Sequence, residues 1–185
     1  MDHSRIGQPP KQWGRPWSHV AISIVFVSLL FGVPAVAQGQ ERGGFTLIVD
    51  LGMGFQRDGS IGYTKKGVAG ITGGVGVFLH DDTAFMLRLM GTSADYRGTL
   101  QASGVFASTV QYWPADRLNV ELGAGLGVRS MGDGSDGGLG VIAGVGYTLF
   151  RAGSHSFQVA VQYAPAFTQP ATVHNFGVTF GWQVL

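Results

Sequence analysis

The stretch Val173-His-Asn-Phe-Gly-Val-Thr-Phe-Gly-Trp-Gln-Val-Leu185 sorts its residues by parity. Phe176, Val178, Phe180, Trp182 and Val184 fall on one parity; Asn175, Gly177, Thr179, Gly181 and Gln183 fall on the other. Side chains on a strand alternate between faces, so this stretch predicts a strand with one aliphatic or aromatic face and one small or polar face. Two settings use such a strand: the edge of a water-soluble sheet, or a wall whose apolar face meets hydrocarbon. The rest of the chain chooses between them.

The alternation recurs seven more times. In 45–56, Phe45, Leu47, Val49, Leu51, Met53 and Phe55 oppose Thr46, Ile48, Asp50, Gly52, Gly54 and Gln56. In 67–79, Ala69, Ile71, Val75, Val77 and Leu79 oppose Gly70, Thr72, Gly74 and Gly76. In 83–92, Phe85, Leu87 and Leu89 oppose Met86, Arg88 and Met90. The pattern in 99–113 is weaker, with Leu100, Phe106, Val110 and Tyr112 against Gln101, Ser103, Thr109 and Gln111. In 118–129, Leu118, Val120, Leu122, Leu126 and Val128 oppose Asn119, Glu121, glycines and Arg129. Residues 138–150 and 157–163 repeat it, the latter with Gln158 and Gln162 on the polar parity.

Charge separates the two settings. Only 12% of the 185 residues are charged, about half the usual share of a soluble domain. On the polar parity of all eight stretches the charged residues are Asp50, Arg88, Glu121 and Arg129. A water-facing surface built of Gly, Thr, Gln and so few charges is unusual; a narrow lumen lined that way is ordinary. Beyond residue 37 no apolar run approaches the ~18 residues of a membrane helix. The chain has no cysteine, which excludes disulfides and thiolate metal sites and suits an envelope protein.

Residues 1–37 read as a cleaved secretory signal. Arg5, Lys11 and Arg15 against Asp2 make a basic start, Val20 to Val33 is apolar, and Ala35-Val36-Ala37 is a small-x-small cleavage site before Gln38. Removing those four charges from the chain's 12 basic and 11 acidic residues leaves nine against ten. With no basic patch, nucleic acid is not an expected partner. Residues 38–43 form a short N-terminal segment, and 44–185 form one domain.

Three tight turns are expected at His80-Asp81-Asp82, Pro114-Ala115-Asp116 and 151–154. Four other connections, near 57–66, 94–98, 130–137 and 164–173, carry Gly, Asp, Pro and basic residues. Aromatics gather toward both ends of the stretches. Phe45, Phe85, Tyr112, Trp113, Phe150, Phe157 and Trp182 make one belt; Phe55, Tyr63, Tyr96, Tyr163, Phe167 and Phe176 make the other. Eight strands, an apolar outside and two belts predict an all-β protein, an eight-stranded antiparallel up-and-down transmembrane β-barrel.

With the signal and the aromatic-rich last strand, this pattern resembles the small eight-stranded outer-membrane β-barrel superfamily, the OmpA/OmpX-like barrels. The resemblance covers 44–185 and rests on architecture rather than on a motif. Members commonly end in Phe, where this chain has Leu185. It implies secretion to the periplasm and integration into the cell outer membrane as a monomer, with both barrel termini on the periplasmic side. Outer-membrane lipids and the barrel-insertion machinery would be its partners. A wall-anchoring role carried by a further periplasmic domain is not expected.

Some barrels of this kind are lipid A enzymes, and their deacylases set a His and a Ser two apart on one strand face. Here His155 and Ser156 are adjacent and face opposite ways, and two residues beyond His174 stands Phe176, not a nucleophile. His80-Asp81-Asp82 reads as a solvated turn. Gly-Asp-Gly-Ser-Asp-Gly at 132–137 lacks the Glu of a calcium loop and reads as a flexible surface loop. No catalytic residue, cofactor or metal is expected.

Asp50 and Arg88 lie at closely similar heights in their strands, with Glu121 slightly lower. An eight-stranded interior is narrow enough for a long side chain to cross. Arg88 is therefore expected to bridge Asp50 and Glu121 as a lumen ionic cluster that closes the barrel. The reading is a non-enzymatic outer-membrane barrel with a structural or surface-interaction role, its ligand unnamed. Its rivals are a small-solute channel and, further off, a lipid-modifying enzyme.

Overall fold

The computed structural model describes residues 42–60, 62–96, 98–169 and 171–185. The expected signal, residues 1–37, lies outside the described residues. Nine strands follow one another: β1 (Phe45–Asp58), β2 (Tyr63–His80), β3 (Thr83–Tyr96), β4 (Thr99–Ala115), β5 (Leu118–Met131), β6 (Gly134–Ala152), β7 (His155–Tyr163), β8 (Ala166–Thr168) and β9 (Thr172–Val184). From β1 to β7 each pairs antiparallel with the next, β7 and β8 both pair with β9, and β9 closes on β1.

The ring has eight members because β7 and β8 are one strand interrupted. Tyr163 faces Phe176 and Ala166 faces Val173, so the register against β9 runs unbroken across Ala164-Pro165. Pro165 has no N–H to give, and this is why the ladder lapses there. Its carbonyl still accepts from Val141 N at 3.1 Å.

Closure fixes the shape. From Phe45 the register passes through Val77, Phe85, Val110, Leu122, Ala143, Tyr163 and Phe176 and returns to β1 at Phe55, ten residues from its start. A stagger of ten over eight strands corresponds to a strand tilt of about 40°.

The strands run longer than the alternation suggested, and this corrects the expected loops. Asp58, Tyr96, Ser130, Gly134–Gly138 and Ala166–Thr168 are all paired. The outer connections shrink to a few residues each. In the β3–β4 turn Gly98 takes φ 85°, and in the β6–β7 turn Gly153 takes φ 61°. Both are left-handed conformations that glycine adopts without cost. Residues 132–137 are the tip of the β5–β6 hairpin rather than a flexible loop.

Leu51, Met53, Leu122, Leu126, Leu139 and Phe180 are exposed on the outer surface and form its apolar waist. Phe45, Phe85, Tyr112, Phe150 and Phe157 lie exposed toward one rim, and Phe55, Phe167 and Phe176 toward the other. Two residues assigned to these belts belong elsewhere. Trp113 and Tyr96 are buried inside the barrel, because each falls on the inward parity of its strand.

Candidate functional site

The lumen is the candidate site, and side chains fill it in layers. At mid-height Arg88 of β3 stands between Asp50 of β1 and Glu121 of β5. Arg88 Nη2 donates to Asp50 Oδ2 at 3.3 Å, and its Nε lies 3.0 Å from Glu121 Oε1. Arg88 and Asp50 are fully buried. The Nε contact lacks hydrogen-bonding direction, so its attraction is coulombic. Gln158 Nε2 donates to Asp50 Oδ1 at 3.3 Å, and Thr109 Oγ1 to Glu121 Oε1 at 2.7 Å. The structure thus brings together the three residues singled out in the sequence.

Glycine makes room for this layer. A β-carbon at Gly74 would crowd Arg88 Cδ, and one at Gly181 would overlap the Asp50 carboxylate. Lower down, a β-carbon at Gly146 would meet the Asn119 amide. These three glycines therefore seat large polar groups from the neighbouring strand. They do not line a wide, empty tube.

Below the ionic layer runs a connected polar network. Asn119 Nδ2 donates to Gln158 Oε1 at 3.1 Å, and Gln111 Nε2 to Asn119 Oδ1 at 3.1 Å. Gln183 Nε2 donates to Gln111 Oε1 at 2.9 Å and to Thr46 Oγ1 at 3.2 Å. An apolar floor of Ile48, Ala84, Met86 and Trp113 accompanies this network, with Phe78 and Leu185 packed against it. Arg42 stacks its guanidinium 4.8 Å from the Trp113 ring and donates to the Asp116 carbonyl at 2.6 Å.

Above the ionic layer an apolar cluster fills much of the lumen, beside a hydrogen bond from Thr72 Oγ1 to Gln162 Oε1 at 3.1 Å. Met90, Val105, Ala107, Ile142, Ala164 and Ala166 form one buried cluster. Beside it lies a void of about 10 Å³ whose lining includes Gly52, Gly70, Thr72, Met90 and Thr179. That volume is on the order of one water molecule. Higher still, Asn175 Oδ1 accepts from Gln56 Nε2 at 3.1 Å and Thr92 Oγ1 at 2.8 Å, while its Nδ2 donates to Ser103 Oγ at 3.1 Å.

A second ionic group caps the mouth at the β1–β2 hairpin end. Asp58 Oδ2 accepts from Arg129 Nε at 2.7 Å and from Gln101 Nε2 at 2.6 Å; Ser60 donates both N and Oγ to Oδ1. Arg129 Nη1 reaches Asp136 Oδ2 at 3.2 Å. Burial by itself would raise the Asp58 carboxyl, but the hydrogen bonds from Ser60, Arg129 and Gln101 outweigh it and hold the group below its ordinary value. Sequence reading missed this cap, because Asp58 and Asp136 fell in stretches read as loops. The signal was present: Asp58 continues the inward parity of Asp50 and Gln56.

His155 and His174 stand outside the lumen. His155 stacks on Trp182 at 5.5 Å and accepts from its Nε1 at 3.2 Å, whereas Ser156 points inward, its hydroxyl donating to the Gln183 carbonyl. His174 lies parallel to Tyr163, whose hydroxyl is 2.7 Å from Nδ1.

Solved structures share this architecture. The attachment invasion locus protein Ail of Yersinia pestis superposes with a TM-score of 0.57 at 13% identity, covering 77% of this chain and 99% of that one. Neisserial surface protein A gives 0.57 at 17% identity, over 76% and 96%. The N-terminal β-barrel domain of Pseudomonas aeruginosa OprF gives 0.50 at 16% identity, over 78% and 99%. No protein-family model and no curated protein sequence matches the chain. The fold is that of the small eight-stranded outer-membrane β-barrels.

Proposed function

We propose that the protein is an integral outer-membrane barrel, closed by its own side chains, that serves a structural or surface-interaction role rather than catalysis or transport. The observation that carries this reading is the filled lumen. Arg88 spans the space between two carboxylates, and an apolar cluster around Met90 and Ile142 sits directly above. An ion moving along the axis would have to displace a buried ion pair and then force apart the close-packed side chains around Met90 and Ile142. Either step is costly.

The exposed apolar waist supports a membrane setting, since Leu122, Leu139 and Phe180 have no covering layer from the described barrel. The fold of outer-membrane proteins agrees. The termini and tight turns at the Arg42 end fit the periplasmic side, as in the reading of the sequence. A lipid-modifying activity finds no support in His155 and Ser156, which serve opposite faces.

Liposome swelling tests the closed state. Vesicles carrying the refolded barrel should keep the swelling rate of empty vesicles in arabinose or glycine. Rapid swelling in either solute would replace this reading with the channel.

A further inference from the structure

We infer that the outer rim of the β9–β1 seam binds the anionic phosphate of a membrane-lipid headgroup, through Arg57 and His174; the inference rests on the barrel's lying in a membrane. Arg57 and His174 are directly opposite in the β1–β9 register, and directly paired residues hold their β-carbons about 5 Å apart. Both continue the lipid-facing parity of Phe55 and Phe176, which stack below them at 5.1 Å.

Height decides what they meet. Arg57 stands seven residues above Asp50 on one strand. At ~3.3 Å per residue and a tilt of about 40°, that places it roughly 17 Å above the mid-height layer. The apolar band of such a barrel is about 25 Å tall, so its half-height is ~12 Å. Arg57 is therefore beyond the hydrocarbon and level with headgroups, while the Phe55–Phe176–Tyr163 stack lies at its edge.

The two residues share one patch of the rim. Arg57 is exposed, with Thr64 opposite it on β2. In the tautomer whose Nδ1 accepts from the Tyr163 hydroxyl, 2.7 Å away, the His174 proton sits on Nε2. Asp58 points the other way, into the lumen, and Asp95 on β3 accepts from Gly98 N within its own turn. A planar guanidinium beside an N–H donor suits a phosphate, whose oxygens take several charge-assisted bonds at once.

The test refolds the full chain into phosphatidylcholine vesicles with and without phosphatidic acid, and measures the urea midpoint. Phosphatidic acid should raise the midpoint of the wild type; Arg57→Ala should lose that rise and His174→Gln should reduce it. Arg117→Ala, a cation at the opposite rim, should keep it. An equal rise in the wild type and Arg57→Ala, with all variants folded, overturns the site and leaves the barrel reading standing. A wild type that folds in neither vesicle overturns both.

Discussion

Arg88 lies across the bare α-carbon of Gly74: a β-carbon there would come within 2.5 Å of Arg88 Cδ and 2.9 Å of the Leu87 carbonyl oxygen. Gly74→Ala should therefore destabilise the barrel by about 1–3 kcal/mol, the usual cost of overfilling a packed interior. Gly91→Ala, whose added carbon meets nothing within 4 Å, should be close to neutral. Urea unfolding in lipid vesicles compares the two. Equal midpoints would mean that Gly74 does not seat Arg88.

The ion layer should behave as a unit. Removing Arg88 alone leaves two buried carboxylates without their cation, and Arg88→Ala should cost about 3–5 kcal/mol. The triple change Arg88→Met, Asp50→Asn, Glu121→Gln removes all three charges and should recover most of that loss. A triple variant no more stable than Arg88→Ala would show that the charges act independently.

The outer surface should reject charge at mid-height. Leu122→Arg and Val178→Arg place a cation in hydrocarbon and should each cost about 2–4 kcal/mol. Thr179→Ser, inside the lumen, should be mild. Gly123→Ser, although inward, should not be mild, because its β-carbon would overlap the Ser108 carbonyl and the Thr109 methyl. The midpoints of the four variants in one lipid give the ranking.

Acid should loosen the outer mouth. The Asp58 carboxyl is held below its ordinary value in the folded state. Its stabilising contribution is therefore complete above about pH 4, the range of a free carboxyl, and is lost as pH falls through the depressed folded value. Hydrogen exchange at the β1–β2 and β5–β6 tips should rise in acid. In Asp58→Asn it should already be raised at neutral pH and respond less to acid. An unchanged acid response in Asp58→Asn would remove Asp58 as the cause.

Parity carried most of the fold into view. Inward Thr72, Arg88, Gln111, Glu121, Gln158 and Gln183 could all be placed from alternation, since a period of two leaves no third position. Strand ends were less legible. Glycine and aspartate at residues 58–62 and 132–137 carry turn chemistry, but here the ladder runs to within a few residues of each tip. Trp113 and Tyr96 have the residue type of an interfacial belt, but their parity points inward. The meeting of Asp50, Arg88 and Glu121 could be anticipated from height along the strand. Of the Asp58–Arg129–Asp136 cap, parity points Asp58 inward, but its meeting with Arg129 and Asp136 depends on how far the strands continue and on the stagger that lifts each strand past the last.

The closed lumen is the central claim, and single-channel recording in planar bilayers tests it most directly. Wild-type barrels should give no steady conductance. Arg88→Ala combined with Met90→Ala removes the ion bridge and part of the apolar layer above it, and should give measurable openings. A steady ohmic conductance in the wild type, unchanged in the double variant, would contradict the account.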